Sequence, residues 1–192
     1  MNEKTIAAVS LSNRDFPNLE AKVAEAANWV ELAARGGADL VVLPEMLNFY
    51  RGDGPGNPRS LTIKEAALDD WKSATKPLFD AARSCSVAVT IPVLTREGGH
   101  FANSFFLVSK TGAVLGRYQK IRVTPGELAA DVRPGRFSLI EWEGLKGGGA
   151  ICFDCYFPEV FQQQAEAGAD LFLAPSLTAG GGNLNFYALH FS

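Results

Sequence analysis

The sequence is short of almost everything that would mark a metalloprotein, a disulfide scaffold or a polymer-binding surface. Its 192 residues include three cysteines and two histidines. An odd cysteine count fits a reducing compartment better than a disulfide framework. Beyond Cys152 and Cys155 only Cys85, His100 and His190 remain, none in a paired spacing, so a four-ligand zinc site lacks donors. Charge of one sign is missing too. The 18 Lys+Arg against 21 Asp+Glu leave a net charge of -3 with no run of either sign. That argues against nucleic acid or an anionic membrane and for a small-molecule partner. No run of about 18 apolar residues occurs, so no membrane span is expected. The opening MNEKTIAAVSLSNRDF has too brief an apolar run for a signal peptide, and a cytoplasmic location is expected. Neither Gly147 to Gly149 nor Gly180 to Gly182 leads into Lys-Ser/Thr or forms G-x-G-x-x-G between strand and helix, which excludes a phosphate loop. Such glycines read as turns or places of close backbone approach.

What is present is a 47% hydrophobic chain, enough for one sizeable core, so 1–192 is expected to be a single domain. TIAAVSL reads as a first strand. Leu19, Val23, Ala26, Ala27, Val30 and Ala34 recur at helical spacing, and a buried-strand run follows them. The closing phrase GADLVVLPE (37–45) returns as GADLFLAPS (168–176), again after a helical pattern. In each, glycine permits the helix stop, the aliphatic run is a buried strand and proline ends it. Two similar halves packed together are expected. Between them, SLTIKEAALDDWKSATKPLFDAARSCS reads as helix with an interruption near Pro77, and VAVTIPVL as a buried strand. Lys110-Thr111-Gly112 and Gly144 mark hairpins. Strands alternate with helices at both ends and follow one another in the middle, which predicts mixed sheets.

AICFDCYFPE (150–159) raises the chemical question, because its two cysteines stand in a C-x-x-C spacing. A strand-to-helix junction would favour a thiolate there, as in a thiol oxidoreductase. Yet Asp154 directly before Cys155 would disfavour a second thiolate by like-charge repulsion. If Cys152 is instead a nucleophile, it needs a base, and neither histidine lies at an apolar strand end. Glu45 closes DLVVLPE, where a strand's carboxyl end meets the crevice of an α/β layer. A solvated loop glutamate is an equally good reading of that position. Lys120 ends the strand of AVLGRYQK; it is either solvent-facing or, if turned into the Glu45 crevice, an oxyanion donor.

Three stretches, LVVLPE, GRYQKIRVTPGE and AICFDCYFPE, together with the trailing QAEAGADLFLAPS, resemble the nitrilase superfamily of carbon-nitrogen hydrolases in order and over nearly the whole chain. The resemblance implies a four-layer α-β-β-α sandwich with mixed sheets. It also implies Glu45 as general base, Lys120 as oxyanion stabiliser, Cys152 as nucleophile and Glu127 as a second glutamate orienting lysine and substrate. Cys155 falls in a variable slot. The implied activity is hydrolysis of a small amide or carbamoyl amide, with neither metal nor organic cofactor, by a homodimer or higher homo-oligomer.

Asn48, Phe49, Phe153 and Tyr156 adjoin these motifs and are candidate substrate contacts, although an aromatic near a strand end is as readily core. Two departures stand out. Lys120-Ile121-Arg122 replaces a frequent Lys-x-His, which alters the expected pocket rim. The chain also stops at NLNFYALHFS, where relatives continue, so the sandwich is expected to be C-terminally truncated. A truncated, non-catalytic piece of such an enzyme is the alternative to an active hydrolase, and a C-x-x-C oxidoreductase is a further one.

Overall fold

The computed structural model describes residues 3–11, 16–54 and 57–177, with the backbone alone for 51–54 and 57–60. Gly180 to Gly182, His190 and NLNFYALHFS lie outside them.

The first echoed half folds as strand, helix, strand. Strand β1 (Ile6–Ala8) leads to helix α1 (Leu19–Arg35), which the Asn18 side chain caps by accepting from the Ala21 N–H at 2.8 Å. Gly37, at φ 89°, ends the helix, and β2 (Leu40–Val42) pairs parallel with β1. A short hairpin, β3 (Arg51–Gly54) and β4 (Asn57–Ser60), follows.

The long helical pattern is broken twice rather than once, into α2 (Ile63–Ala66), α3 (Trp71–Ala74) and α4 (Lys76–Ser84). Pro77 accounts for the second break, sitting in the first turn of α4 where its missing N–H costs nothing. The first break arises because Leu68 leaves the helix to pair with β5 (Ala88–Glu97), donating to the Leu94 carbonyl at 3.1 Å and accepting from the Arg96 N–H at 2.9 Å. Asp70 then caps α3.

Strands β5, β6 (His100–Val108) and β7 (Val114–Gln119) are consecutive and antiparallel, giving a five-stranded mixed sheet of order β1-β2-β5-β6-β7. After α5 (Pro125–Ala129), β8 (Ile140–Trp142) turns through Glu143-Gly144 into β9 (Leu145–Gly149). A 3-10 turn over Cys152–Tyr156, α6 (Pro158–Glu166) and β10 (Leu171–Leu173) complete the second echoed half, with β9 and β10 parallel. Pro158 opens α6, and Gly168, at φ 86°, ends the turn after it as Gly37 does in the first half.

Period-two alternation decides the layers. Val87, Val89, Ile91, Val93, Phe106 and Val108 face α1 and α4. Ala88, Phe105, Leu107 and Tyr118 face Ile140, Trp142 and Leu173 of the second sheet. Val160 and Phe161 of α6 cover that sheet's far side with Phe172. The result is helix, sheet, sheet, helix. The glycine run Gly147 to Gly149 is the place of close approach: a Cβ on Gly149 would lie 2.2 Å from Cγ of the buried Tyr118 ring.

Candidate active site

Four side chains from separate elements converge where β2, β6 and β7 end. Glu45 follows β2 on a segment clamped to β5 at both ends. The Leu43 N–H donates to Thr90 Oγ1 at 3.0 Å, and the Leu47 N–H donates to the Pro92 carbonyl at 2.8 Å. Met46 between them takes φ 52°, a conformation that costs a side-chain-bearing residue about 1–3 kcal/mol and that this clamp sustains. Asn48 completes the clamp. Its amide donates to the Ala66 and Leu94 carbonyls at 2.6 and 2.9 Å, and its carbonyl accepts from the Leu94 N–H at 2.9 Å.

Lys120 stands one residue past β7, held by its N–H on the Asn103 carbonyl at 2.9 Å. Only 1% of it is exposed, so the solvent-facing alternative is wrong for this lysine. Its Nζ lies 2.8 Å from Glu45 Oε1 and 2.9 Å from Glu127 Oε2. Burial by itself would lower the ammonium pKa, but the charges of Glu45 and Glu127 outweigh it and the net shift is upward. Glu127 is buried in the first turn of α5, in a capping box with Thr124. Burial opposes its ionisation, yet Lys120, the Thr124 N–H and Asn103 together hold its carboxyl below the usual range.

Sequence reasoning missed Asn103. Its buried amide nitrogen donates to Glu45 Oε1 at 2.8 Å and to Glu127 Oε1 at 2.7 Å, so one NH₂ group bridges the two carboxylates that flank Lys120. The available signal was an asparagine in FANSFFLV, an otherwise apolar strand where an amide must find partners.

Cys152 sits at the turn out of the second sheet, at φ 46°. Its N–H is taken by the Pro175 carbonyl at 3.0 Å. Burial first, then the charge and hydrogen bond of Glu45, push its thiol up to about 11, while the Leu177 N–H and Lys120 act the other way. The Leu177 N–H also donates to Glu45 Oε2 at 3.2 Å. Asp154, likewise missed, braces this turn against the lysine strand. It accepts from the Ile151 N–H at 2.9 Å, the Tyr118 hydroxyl at 3.0 Å and the Ile121 and Arg122 N–H groups at 3.2 and 2.6 Å. Cys155 is buried against the Ala150 carbonyl, and burial followed by Asp154 pushes its thiol up to about 12. That opposes a reactive pair.

Glu45, Lys120, Glu127, Cys152 and Phe49 line one cavity of about 430 Å³. The other candidate contacts lie elsewhere. Asn48 is consumed by backbone bonds, and Phe153 packs on Tyr156 and Phe157 rather than on the cavity. Arg122 is not part of the rim either; it pairs with Glu159 at 2.6 Å over the Phe157 ring. Among the described residues, no group of three or more His, Cys, Asp or Glu is placed to hold a metal ion, and no helix is long and apolar enough to cross a membrane.

The fold and site define a class: an α-β-β-α sandwich with a carboxylate-ammonium-carboxylate cluster buried beside a cysteine. The carbon-nitrogen hydrolase family model matches residues 5–186, and the chain belongs to that family. It is similar to an (R)-stereoselective amidase of Pseudomonas sp., 30% identical over 153 residues, which are 79% of this chain and 51% of that one. It is also similar to the deaminated glutathione amidase of Synechocystis, 27% identical over 184 residues, 90% of this chain and 66% of that one. The fold matches an amidase from Nesterenkonia sp. with a TM-score of 0.81 at 24% identity, covering 98% of this chain and 72% of that structure. The chain spans about half to two thirds of the length of these curated relatives.

Proposed function

We propose that this chain hydrolyses the C–N bond of a small amide through a thioester on Cys152. The observation that carries the reading is that Cys152, Glu45 and Lys120 open onto one cavity, with the two charged groups buried and hydrogen-bonded to each other. A thiol with its pKa near 11 is not a standing nucleophile at neutral pH, so attack needs a base at the moment of reaction. Glu45 takes the thiol proton as sulfur bonds to the carbonyl carbon, and the Lys120 ammonium meets the charge developing on oxygen. Glu45 returns the proton to the departing amine. Water then gives a proton to Glu45, its oxygen attacks the thioester, and the carboxylic acid and free thiol are released. Glu127 and Asn103 keep Lys120 charged and aimed.

In support, the Nesterenkonia sp. AN1 amidase, a fold match, takes up the acetamide moiety of fluoroacetamide on its active-site cysteine. The same reading extends to a homodimer or higher homo-oligomer, on the family resemblance, and to the cytoplasm, where three free thiols are at home. A second reading, a non-catalytic portion of such an enzyme, is favoured only by the share of the relatives' length that the chain spans.

Ammonia release from simple amides, with mass spectrometry of the trapped acyl adduct, tests the proposal. Cys152→Ala should abolish both and Cys155→Ala should leave both in place. Equal loss from the two variants would favour the dithiol reading instead, and an adduct formed without ammonia turnover would favour the partial enzyme.

A further inference from the structure

Beyond the reacting atoms, the cavity has a chemical character of its own. Its remaining wall is built by Met46, Phe49, Leu61, Ile63 and Leu177, all apolar. The charges it contains are two carboxylates and one ammonium, a formal excess of one negative charge among the described residues. Lys120 cannot serve an incoming anion, because Glu45 and Glu127 already hold its Nζ at 2.8 and 2.9 Å. The two helix starts on the rim are closed as well. Thr62 and Thr124 head capping boxes in which Glu65 and Glu127 accept the cap N–H groups at 2.8 and 2.7 Å. Each would otherwise offer unpaired N–H donors to an anion; each instead carries its own glutamate.

We infer that the acyl group accepted here is uncharged and apolar, so that the preferred substrate is a neutral aliphatic or arylalkyl amide and a monoamide of a dicarboxylic acid is rejected. The inference rests on the hydrolase reading for the position of the scissile bond. The distal end of the acyl chain lies against Leu61 and Ile63, across the cavity from Lys120 and Cys152. A carboxylate placed there meets apolar side chains that cannot pair with it and an excess negative charge across the cavity, which should disfavour it by about tenfold or more. Each methylene added to a neutral chain should raise kcat/KM about three- to fourfold until the wall is reached.

A matched pair of amides tests this: 5-methylhexanamide, and glutaramate, in which a carboxylate replaces the isopropyl end. Turnover is read as ammonia release by the 192-residue chain, and binding by calorimetry on Cys152→Ala, which needs no catalysis. The expected result is a preference of about tenfold or more for 5-methylhexanamide in both measurements, with kcat/KM rising from acetamide through butyramide to hexanamide. Ile63→Lys, at a partly exposed position on the rim, should narrow the preference at least tenfold while acetamide turnover persists. Equal or better binding of glutaramate, a flat chain-length series, or no binding of any amide would overturn the inference. Selective binding of 5-methylhexanamide without ammonia release from any amide would instead refute the hydrolase reading and leave the substrate class supported.

Discussion

Replacing Glu45 by glutamine should move two properties of Cys152 in opposite directions. The thiol stands near 11 against about 9 for an unperturbed cysteine, raised by burial and then by the charge and hydrogen bond of Glu45. Glutamine keeps the volume and the burial but removes the negative charge. Lys120 keeps Glu127 as its other partner, so the site becomes more positive and the thiolate easier to form. A fall of about one pKa unit is expected, which raises the thiolate fraction at about pH 8 roughly tenfold. Turnover should fall about 10²- to 10⁴-fold, because the base that takes the proton during attack is gone. The assay is iodoacetamide labelling across a pH series, with peptide mapping to separate Cys152 from Cys85 and Cys155, alongside ammonia release. Faster labelling with lost turnover supports the reasoning. Slower labelling at every pH would mean that Glu45 already holds the thiol proton in the resting protein, and the general-base sequence would be refuted.

Asn103→Leu removes the bridge between Glu45 and Glu127 and should cost about 2–3 kcal/mol in denaturant unfolding and a larger share of kcat than of KM; unchanged kcat would show that the carboxylates need no such bridge. Glu127→Gln should destabilise more at about pH 7 than at about pH 4. The folded-state carboxyl is held below its usual value, so its contribution is present above the unfolded pKa and lost as pH falls through the folded one. A pH-independent difference in unfolding free energy would contradict this. Gly149→Ala would drive a methyl group into the Tyr118 ring and should cost about 3 kcal/mol or more, read as a lowered Tm, with Gly144→Ala in the exposed hairpin as comparison.

How much of the site was legible in the sequence varies by residue, and the reasons are physical. Glu45, Lys120 and Cys152 each close or follow an aliphatic run, and strand ends meet the crevice of a layered α/β fold, so candidacy could be read locally. Whether Lys120 faced water or carboxylate could not, because both answers use the same strand end. Its burial depends on Glu45, 75 residues earlier, arriving within 2.8 Å. Asn48 and Asn103 show the same limit from opposite sides. Asn48 adjoins a motif yet spends its amide on the backbone of Ala66 and Leu94, while Asn103, inside an unremarked apolar strand, donates to both glutamates.

The sequence by itself determined the layers and their order. Period-two and helical spacings are local, and the repeated GAD…P phrase announces two parallel units whichever way they pack. It also determined that a thiol, two carboxylates and an ammonium were available. Only the tertiary structure decided that these groups share one cavity, that Cys155 is braced away from chemistry by Asp154, and that Leu68 breaks a helix to join a strand. Each of those outcomes is a competition between burial cost and a partner distant in the chain, and no local pattern carries the position of such a partner.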